Sequence, residues 1–244
     1  MIILDGKKTS SDIKDEITQE VLQLKKDGRK TPHLAAIIVG NDGASRTYVG
    51  AKVKACNRVG FHSTLVELSS DTSEKELLSK IEELNNNNEI DGFIVQLPLP
   101  KHIDEQKILM AVDPNKDVDG FHPTNVGKMA LNLPTFISAT PYGILELLER
   151  YHVETSGKHV VVIGRGPTLG RPMALLMSSK EEGANAAVTV VHSAVPNLSE
   201  ITSKADIVIA AVGIPSFVTS EMVRPGSVVI SGGISREGKK LLPD

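Results

Sequence analysis

Tyr48 and Lys52 are two residues whose types and spacing could support catalysis. They lie four residues apart in a segment with helical periodicity, so both side chains project from one face of the predicted helix. A tyrosine hydroxyl beside an ammonium group can position a proton donor, and partial burial brings a lysine towards proton exchange near neutral pH. The same spacing is common on exposed helices, so the pair alone does not establish chemistry.

Gln96 and two acidic residues are further candidates in the first half of the chain. Gln96 interrupts an otherwise apolar predicted strand, and a buried amide there needs partners that a lysine or a substrate could provide. Asp117 and Asp119 follow in a loop, Lys116-Asp117-Val118-Asp119-Gly120. Acidic residues in such a loop either bind a ligand or only form a solvated turn.

Three glycines in the second half, Gly164, Gly166 and Gly170, lie at the predicted junction of a strand and a helix. A pyrophosphate can approach backbone N–H groups at such a helix N-terminus, so the pattern predicts dinucleotide binding, with a plain strand-to-helix turn as the alternative. Arg165 could reach a 2′-phosphate, and the next predicted strand ends in His192-Ser193 without an acidic residue. These features favour NADP over NAD, unless Arg165 is simply solvated.

Predicted strands alternate with helices along the chain and position these residues. In the first half, periodicity predicts helices over 9–27 and 45–59 and strands over 33–40, 63–68 and 91–98. Asp71 and Glu74 form a predicted capping box at the start of a further helix. A loop-rich stretch follows over 113–134. Thr140 caps the helix that leads into the second half, where predicted strands over 159–164, 187–192, 206–213 and 227–230 alternate with helices over 170–179 and 198–204.

This alternation requires crossover connections and therefore parallel sheets covered by helices. We predict an α/β fold with two domains and a cleft between them. The first domain, residues 1–138, would be the catalytic substrate domain, and the second, residues 139–244, a Rossmann-type dinucleotide-binding domain.

The composition excludes several classes of protein. The net charge of −3, the absence of tryptophan and 3% aromatic residues argue against a nucleic-acid partner. No apolar run has the roughly 20 residues of a membrane helix, and the N-terminus lacks a secretory signal pattern. One cysteine, Cys56, excludes an internal disulfide and a cysteine-rich zinc site. We expect a cytoplasmic enzyme that acts on a small molecule and has no metal site.

Five motifs together resemble the bifunctional methylenetetrahydrofolate dehydrogenase/cyclohydrolase family. They are, in order, Tyr48-x-x-x-Lys52, Val95-Gln96-Leu97-Pro98-Leu99-Pro100, Lys116-Asp117-Val118-Asp119-Gly120, Thr140-Pro141 and Gly164-Arg165-Gly166. The resemblance runs from about Asp5 to Pro225. It implies NADP-dependent oxidation of 5,10-methylenetetrahydrofolate to the 5,10-methenyl form, followed by hydrolysis to 10-formyltetrahydrofolate.

The resemblance also implies roles for individual residues. Lys52 would be the catalytic residue of the hydrolysis, Tyr48 would orient the pterin and Gln96 would hydrogen-bond Lys52. Asp119 would bind the amino and ring nitrogens of the pterin. The cofactor, NADP with NAD as the alternative, would be bound by Gly164, Arg165, Gly166, Gly170, Ser193 and Ile234. The family further implies a folate substrate and a homodimer.

The chain departs from the family pattern at several positions. Gly166-Pro167 follows Arg165 where the family usually has serine or threonine, Ala194 stands where a basic residue is frequent, and Ser231-Gly232-Gly233-Ile234 replaces Asp-x-Gly-Ile. Family members also continue past the position of Asp244, so we expect that a C-terminal segment is omitted from the sequence. The alternatives are a monofunctional NAD-dependent methylenetetrahydrofolate dehydrogenase and a truncated, non-catalytic module that binds a dinucleotide or folate.

Overall fold

The computed structural model describes residues 2–237 and 240–244. It forms two compact units, an N-terminal unit of Asp5–Asn125 and a C-terminal unit of Val126–Asp244 with the residues before Asp5. Each unit is a parallel sheet with helices, so the predicted two-domain α/β fold is confirmed. The boundary after residue 138 and the cleft between the domains stay predictions.

A three-stranded parallel sheet of order β2-β1-β3 organises the N-terminal unit. Its elements are α1 (Gly6–Lys26), β1 (His33–Val39), α2 (Gly43–Val59), β2 (His62–Leu68), α3 (Glu74–Asn86), β3 (Gly92–Val95) and α4 (Glu105–Ala111). The helix α5 (Pro123–Ala130) begins in this unit and ends in the other.

The central strand β1 is buried on both faces, which explains why its sequence is almost continuously apolar. Alternate side chains, including Ile37, pack with Leu77 and Ile81 of α3 in one cluster. The side chains between them pack with α2 in a second cluster, whose members are Ala36, Ile38, Val49 and Ile94, with Val53 and Val118 packed against it. Parallel strands end at the same edge of the sheet, so the start of α2, which follows β1, and Gln96, which follows β3, lie at that edge.

The chain after α4 covers the free edge of β3 through residues 116–120, which we call the anchor segment. The N–H of Phe93 donates to the carbonyl oxygen of Lys116 at 2.9 Å, and Phe93 forms a parallel bridge with Asp117. Gly92 leaves room for Val118, since a Cβ at Gly92 would lie 2.3 Å from Cγ1 of Val118. Nζ of Lys116 donates to carbonyl oxygens at the end of α3, those of Leu84 and Asn87, at 2.9 and 2.7 Å.

A four-stranded parallel sheet of order β5-β4-β6-β7 organises the C-terminal unit. Its elements are α6 (Ala139–Arg150), β4 (His159–Ile163), α7 (Gly170–Ser178), β5 (Ala187–Val191), α8 (Leu198–Thr202), β6 (Ile207–Ala210), a 3-10 turn (Ser220–Met222), β7 (Val228–Ser231), β8 (Ile234–Glu237) and β9 (Lys240–Pro243). Like β1, β4 is buried on both faces. The backbones of β8 and β9 pair in antiparallel fashion.

The two sheets begin with the same arrangement of hydrogen bonds. In the N-terminal unit, the N–H of His33 donates to Asp91 at 2.8 Å, and Nε2 of His33 lies 2.8 Å from the hydroxyl of Thr64. In the C-terminal unit, the N–H of His159 donates to Asp206 at 2.8 Å, and Nε2 of His159 lies 3.0 Å from the hydroxyl of Thr189. Each unit therefore ties the start of its central strand to both neighbouring strands in the same way.

The loop-rich stretch over 113–134 also contains the helix α5. Two predicted helix caps are wrong. The helix α3 is capped by Ser73, which accepts from the N–H of Glu76, and not by Asp71. Thr140 lies inside α6, whose N-cap is Ser138.

Among the residues that the structure describes, no helix has the length and apolar character needed to cross a membrane.

Gly92→Ala tests the fit between β3 and the anchor segment. The added methyl group would overlap Val118, at 2.3 Å from its Cγ1, so β3 or the anchor segment must shift. We expect the free energy of unfolding, measured with denaturant, to fall by about 1–3 kcal/mol. Adding Val118→Ala should recover part of this loss.

Gly50→Ala in α2 is the matched control, because a Cβ at Gly50 meets no atom within 4 Å. This change should be neutral or slightly stabilising. Equal stability of the Gly92→Ala and parent proteins would contradict the close packing of Val118 on β3.

Candidate active site and cofactor turn

The helix α2 presents Tyr48 and Lys52 on one face. Val49 and Val53, the residues that follow each of them, pack towards the sheet. Tyr48 is accordingly exposed, with 44% of its surface accessible. The packing of the two valines therefore determines the direction in which Tyr48 and Lys52 project.

Lys52 forms an ion pair with Asp119, with 3.6 Å between Nζ and Oδ1. The Asp119 side chain is 19% exposed and the Lys52 side chain 38% exposed, so the carboxylate is the more buried partner. The two residues come from elements that are far apart in sequence but packed together, since Val118 packs against the cluster that contains Val49. The structure thus brings together two of the four residues predicted for the folate site.

The Asp119 carboxyl is held in an unusual electrostatic setting. Burial raises its pKa above the ordinary value, Lys52 lowers it, and the neighbouring Asp117 carboxylate raises it again, with a net increase. A partly buried carboxylate of raised proton affinity is a strong hydrogen-bond acceptor, and it suits a ligand that offers two adjacent N–H donors.

Gln96 follows β3 directly and has one unsatisfied oxygen. Its N–H donates to the carbonyl oxygen of Ile37 at 2.9 Å, and its Nε2 donates to that of Leu97 at 2.7 Å. Its buried Oε1 accepts no hydrogen bond from any described residue. A buried acceptor without a donor is unfavourable, so this oxygen is available to a ligand or a lysine. The Lys52–Gln96 hydrogen bond stays a prediction, because Lys52 here pairs with Asp119.

The predicted cofactor turn joins β4 to α7. Gly164 has φ +114°, and a Cβ there would lie 2.4 Å from the carbonyl oxygen of Ala211. A Cβ at Gly170 would lie 2.4 Å from the carbonyl oxygen of Gly164. A Cβ at Gly166 meets no atom within 4 Å, so the space beside this glycine is open. Gly164 and Gly170 therefore permit a tight turn, and Gly166 leaves space in which a pyrophosphate fits.

The N-terminus of α7 differs from that of α2 in a way that suits an anion. Asp42 caps α2, with its Oδ2 accepting from the N–H of Ser45 at 2.7 Å. The N-cap of α7 is Leu169, and no side chain caps this helix. A phosphate bound at α7 meets the positive end of the helix dipole without a competing carboxylate.

The other residues predicted for the cofactor site follow neighbouring strands. Arg165 and Ser193 come after β4 and β5, which are paired, and both side chains are exposed. Ile234 is the first residue of β8, and its side chain lies outside what the structure describes. No group of three histidine, cysteine or acidic side chains that could hold a metal ion occurs within residues 2–237 and 240–244.

Sequence reasoning missed the residues that hold the anchor segment. Oδ2 of Asp117 accepts hydrogen bonds from the N–H of His122 and from Nδ2 of Asn125. The signal that could have identified them is His122-Pro123-Thr124-Asn125, where a proline at the first helical position marks the start of α5.

Two family models match the two parts of this arrangement. Residues 4–119 match "Tetrahydrofolate dehydrogenase/cyclohydrolase, catalytic domain", and residues 138–244 match "Tetrahydrofolate dehydrogenase/cyclohydrolase, NAD(P)-binding domain". Lys52 and Asp119 lie in the first match and the glycine turn in the second.

Similar proteins agree with the family models. "Bifunctional protein FolD" of Flavobacterium psychrophilum is 64% identical over 97% of this chain and 80% of its own length. The bifunctional FolD structure from Campylobacter jejuni has a TM-score of 0.94 at 40% identity, covering 100% of this chain and 86% of that one. The Trypanosoma brucei methylenetetrahydrofolate dehydrogenase-cyclohydrolase, complexed with NADP and an inhibitor, has a TM-score of 0.92 at 35% identity, covering 100% and 84%. The chain therefore belongs to the tetrahydrofolate dehydrogenase/cyclohydrolase family.

Proposed function

We propose that the chain oxidises 5,10-methylenetetrahydrofolate with NADP and hydrolyses the resulting 5,10-methenyl cation to 10-formyltetrahydrofolate, with Lys52, Tyr48, Gln96 and Asp119 forming the folate site. The observation that carries the proposal is the Lys52–Asp119 pair, 3.6 Å apart. It places a proton-transfer group next to a carboxylate that can recognise a pterin. A monofunctional dehydrogenase would not require this lysine.

Asp119 supplies the recognition of the pterin. The 2-amino group and the adjacent ring N–H of a pterin are two parallel donors, and a carboxylate accepts both. The exposed ring of Tyr48, one turn before Lys52, is in a position to pack on the flat pterin. Binding at Asp119 replaces part of its interaction with Lys52, which leaves the lysine available to the one-carbon bridge.

Lys52 manages the protons of the hydrolysis. Water adds to the bridge carbon through its oxygen and gives one proton to Nζ of Lys52. The bond from this carbon to N5 then breaks as N5 takes up a proton and the new hydroxyl loses one, which leaves the formyl group on N10. The reaction consumes one water and releases one proton.

The C-terminal unit binds the dinucleotide at the turn between β4 and α7. NADP, when bound there, would supply the hydride acceptor for the oxidation of the methylene carbon. Oxidation needs no acid or base from the protein, so the task of Gly164, Gly166 and Gly170 is placement. Arg165 and Ser193 provide a cation and a hydroxyl for the 2′-phosphate, and the Trypanosoma brucei relative was solved with NADP. The homodimer and the cytoplasmic location stay predictions.

Lys52→Met tests the hydrolytic role. Methionine keeps the length of the side chain but cannot take a proton, so hydrolysis of methenyl-folate should fall by about 10²-fold or more. NADPH formation from methylene-folate should continue, with methenyl-folate accumulating, and both are followed by absorbance. Lys54→Met, at an exposed position of the same helix, is the control. Undiminished hydrolysis in Lys52→Met would exclude the role.

The parent protein itself distinguishes the non-catalytic alternative. Binding of both ligands without turnover would indicate that alternative.

A pair of glycine variants tests the cofactor turn. Gly166→Ala should fold normally, since no protein atom lies within 4 Å of the new Cβ, but should weaken NADPH binding by about tenfold, or 1.4 kcal/mol, because the methyl group enters the pyrophosphate space. Gly170→Ala should instead lower the thermal stability, because its Cβ overlaps the carbonyl oxygen of Gly164 at 2.4 Å. NADPH fluorescence and thermal unfolding distinguish these effects. Unchanged NADPH affinity in Gly166→Ala would place the pyrophosphate elsewhere.

Arg165→Ala tests cofactor preference. Loss of a charge-assisted hydrogen bond to the 2′-phosphate should reduce the ratio of kcat/KM for NADP to that for NAD by about 10- to 100-fold. Arg165→Lys keeps the charge and should retain part of the preference. An unchanged ratio in Arg165→Ala would remove Arg165 from this role.

A further inference from the structure

Asp117 is a buried carboxylate two residues before Asp119. Only 5% of its surface is exposed, and its Oδ2 accepts from the N–H of His122 at 2.7 Å and from Nδ2 of Asn125 at 2.9 Å. Asn125, 2% exposed, also donates to the carbonyl oxygen of Pro114 at 2.9 Å. Burial of a charged group is unfavourable, and no ion pair within the described chain compensates Asp117. A neutral asparagine would accept the same two hydrogen bonds. The hydrogen bonds of the turn therefore do not explain why position 117 carries an acidic residue.

Within the anchor segment, the contacts of Lys116 and Val118 fix the backbone that carries Asp117 and Asp119. Val118 is packed over Gly92, and Lys116 is bound to the end of α3. The turn closes with a hydrogen bond from the N–H of Gly120 to the carbonyl oxygen of Asp117 at 3.2 Å. The backbone between Asp117 and Asp119 is therefore held at both ends.

We propose that Asp117, held by Asn125 and His122, is a positioning residue for Asp119: it fixes the backbone that carries the Asp119 carboxylate and places a second negative charge near it. The proposal rests on the proposed function, in which Asp119 binds the pterin. Asp117 itself contacts neither the substrate nor the reacting atoms.

The charges around Asp119 determine the direction of the effect. Lys52 from α2 and Asp117 from the anchor segment are the charged groups that act on Asp119. Burial raises the pKa of Asp119 and the negative charge of Asp117 raises it further, against the effect of Lys52. A protonated Asp119 cannot accept hydrogen bonds from both pterin donors, so binding is lost as the pH falls through this raised pKa. Neutralising Asp117 lowers the pKa of Asp119 and moves that loss to more acidic pH.

Asp117→Asn separates charge from geometry. With its amide oxygen in the place of Oδ2, asparagine keeps both hydrogen bonds but carries no charge. The affinity for tetrahydrofolate, which has the pterin but no one-carbon bridge, is measured by calorimetry across the pH range with NADP present. In Asp117→Asn the acidic limb of binding should move down by about 0.5–2 pH units, the range expected for a unit charge at a few ångströms in a partly solvated site.

Two further variants complete the test. Asn125→Ala removes a donor and should weaken binding about tenfold at every pH, as the anchor segment loses its hold on Asp117. Asp113→Asn is the matched control, because Asp113 lies in the same loop and accepts from the N–H of Asn115 at 2.8 Å but is not among the charges that act on Asp119. It should leave the acidic limb in place. Circular dichroism verifies that each variant is folded.

The outcomes distinguish this proposal from the function on which it rests. If tetrahydrofolate binds the parent protein but binds Asp119→Asn equally well, the assignment of Asp119 fails and this proposal fails with it. If Asp119→Asn loses binding, the assignment of Asp119 stands. If the acidic limb of Asp117→Asn then coincides with that of the parent, the charge of Asp117 has no effect on Asp119 and this proposal is overturned. A folded Asn125→Ala protein with parental affinity would likewise overturn it.

Discussion

The packing of Val118 against Gly92 is the contact that determines the geometry of the Lys52–Asp119 pair. Val118 and Val53 pack against the cluster that contains Val49, and the proposed site residues Tyr48, Lys52 and Asp119 are sequence neighbours of these three valines. Burial of an aliphatic side chain contributes roughly 1.5–3 kcal/mol, whereas an exposed ion pair contributes about 1 kcal/mol or less. The Lys52–Asp119 pair is partly exposed, so it is a consequence of apolar packing and not its cause. The position of the pair is therefore set by the core beneath it.

The parts of this arrangement that were predictable from sequence depend on periodicity. The helical spacing of Tyr48 and Lys52, the apolar strands and the glycine turn are local patterns, and the structure contains each of them. The family resemblance added Asp119, which spacing alone could not select from the other acidic loop residues. Parallel strands explain why distant segments meet, since their carboxyl ends share one edge. The fold class followed from these local and edge rules, whereas the roles of the candidate residues came from the family resemblance.

The remaining features depend on contacts that no periodic pattern in the sequence predicts. Asp117 and Asn125 are joined across a turn and a helix start, and α5 has only 8 residues, fewer than the window of roughly 11–18 residues over which a helical period is recognised. Asn85, in the last turn of α3, donates to the carbonyl oxygen of Ala111 and accepts from the N–H of Asp113, and so holds the end of α4. Side chains of this kind satisfy backbone groups of other segments, and only the folded chain shows which ones. The unsatisfied oxygen of Gln96 is a similar case, since burial without a partner is visible only in three dimensions.

The two units share one framework but differ at the start of the helix that follows the central strand. In each, a histidine at the start of the central strand is tied to an aspartate and a threonine of the neighbouring strands. Each central strand ends at a glycine of positive φ, Gly40 or Gly164, before a helix. In the N-terminal unit Asp42 then caps α2 and places a negative charge where an anion would bind. The helix α7 has no side-chain cap, so its N-terminus remains suited to a phosphate. The Asp42 carboxylate at the start of α2 thus disfavours an anion there, whereas the glycine turn before the uncapped start of α7 favours one in the C-terminal unit.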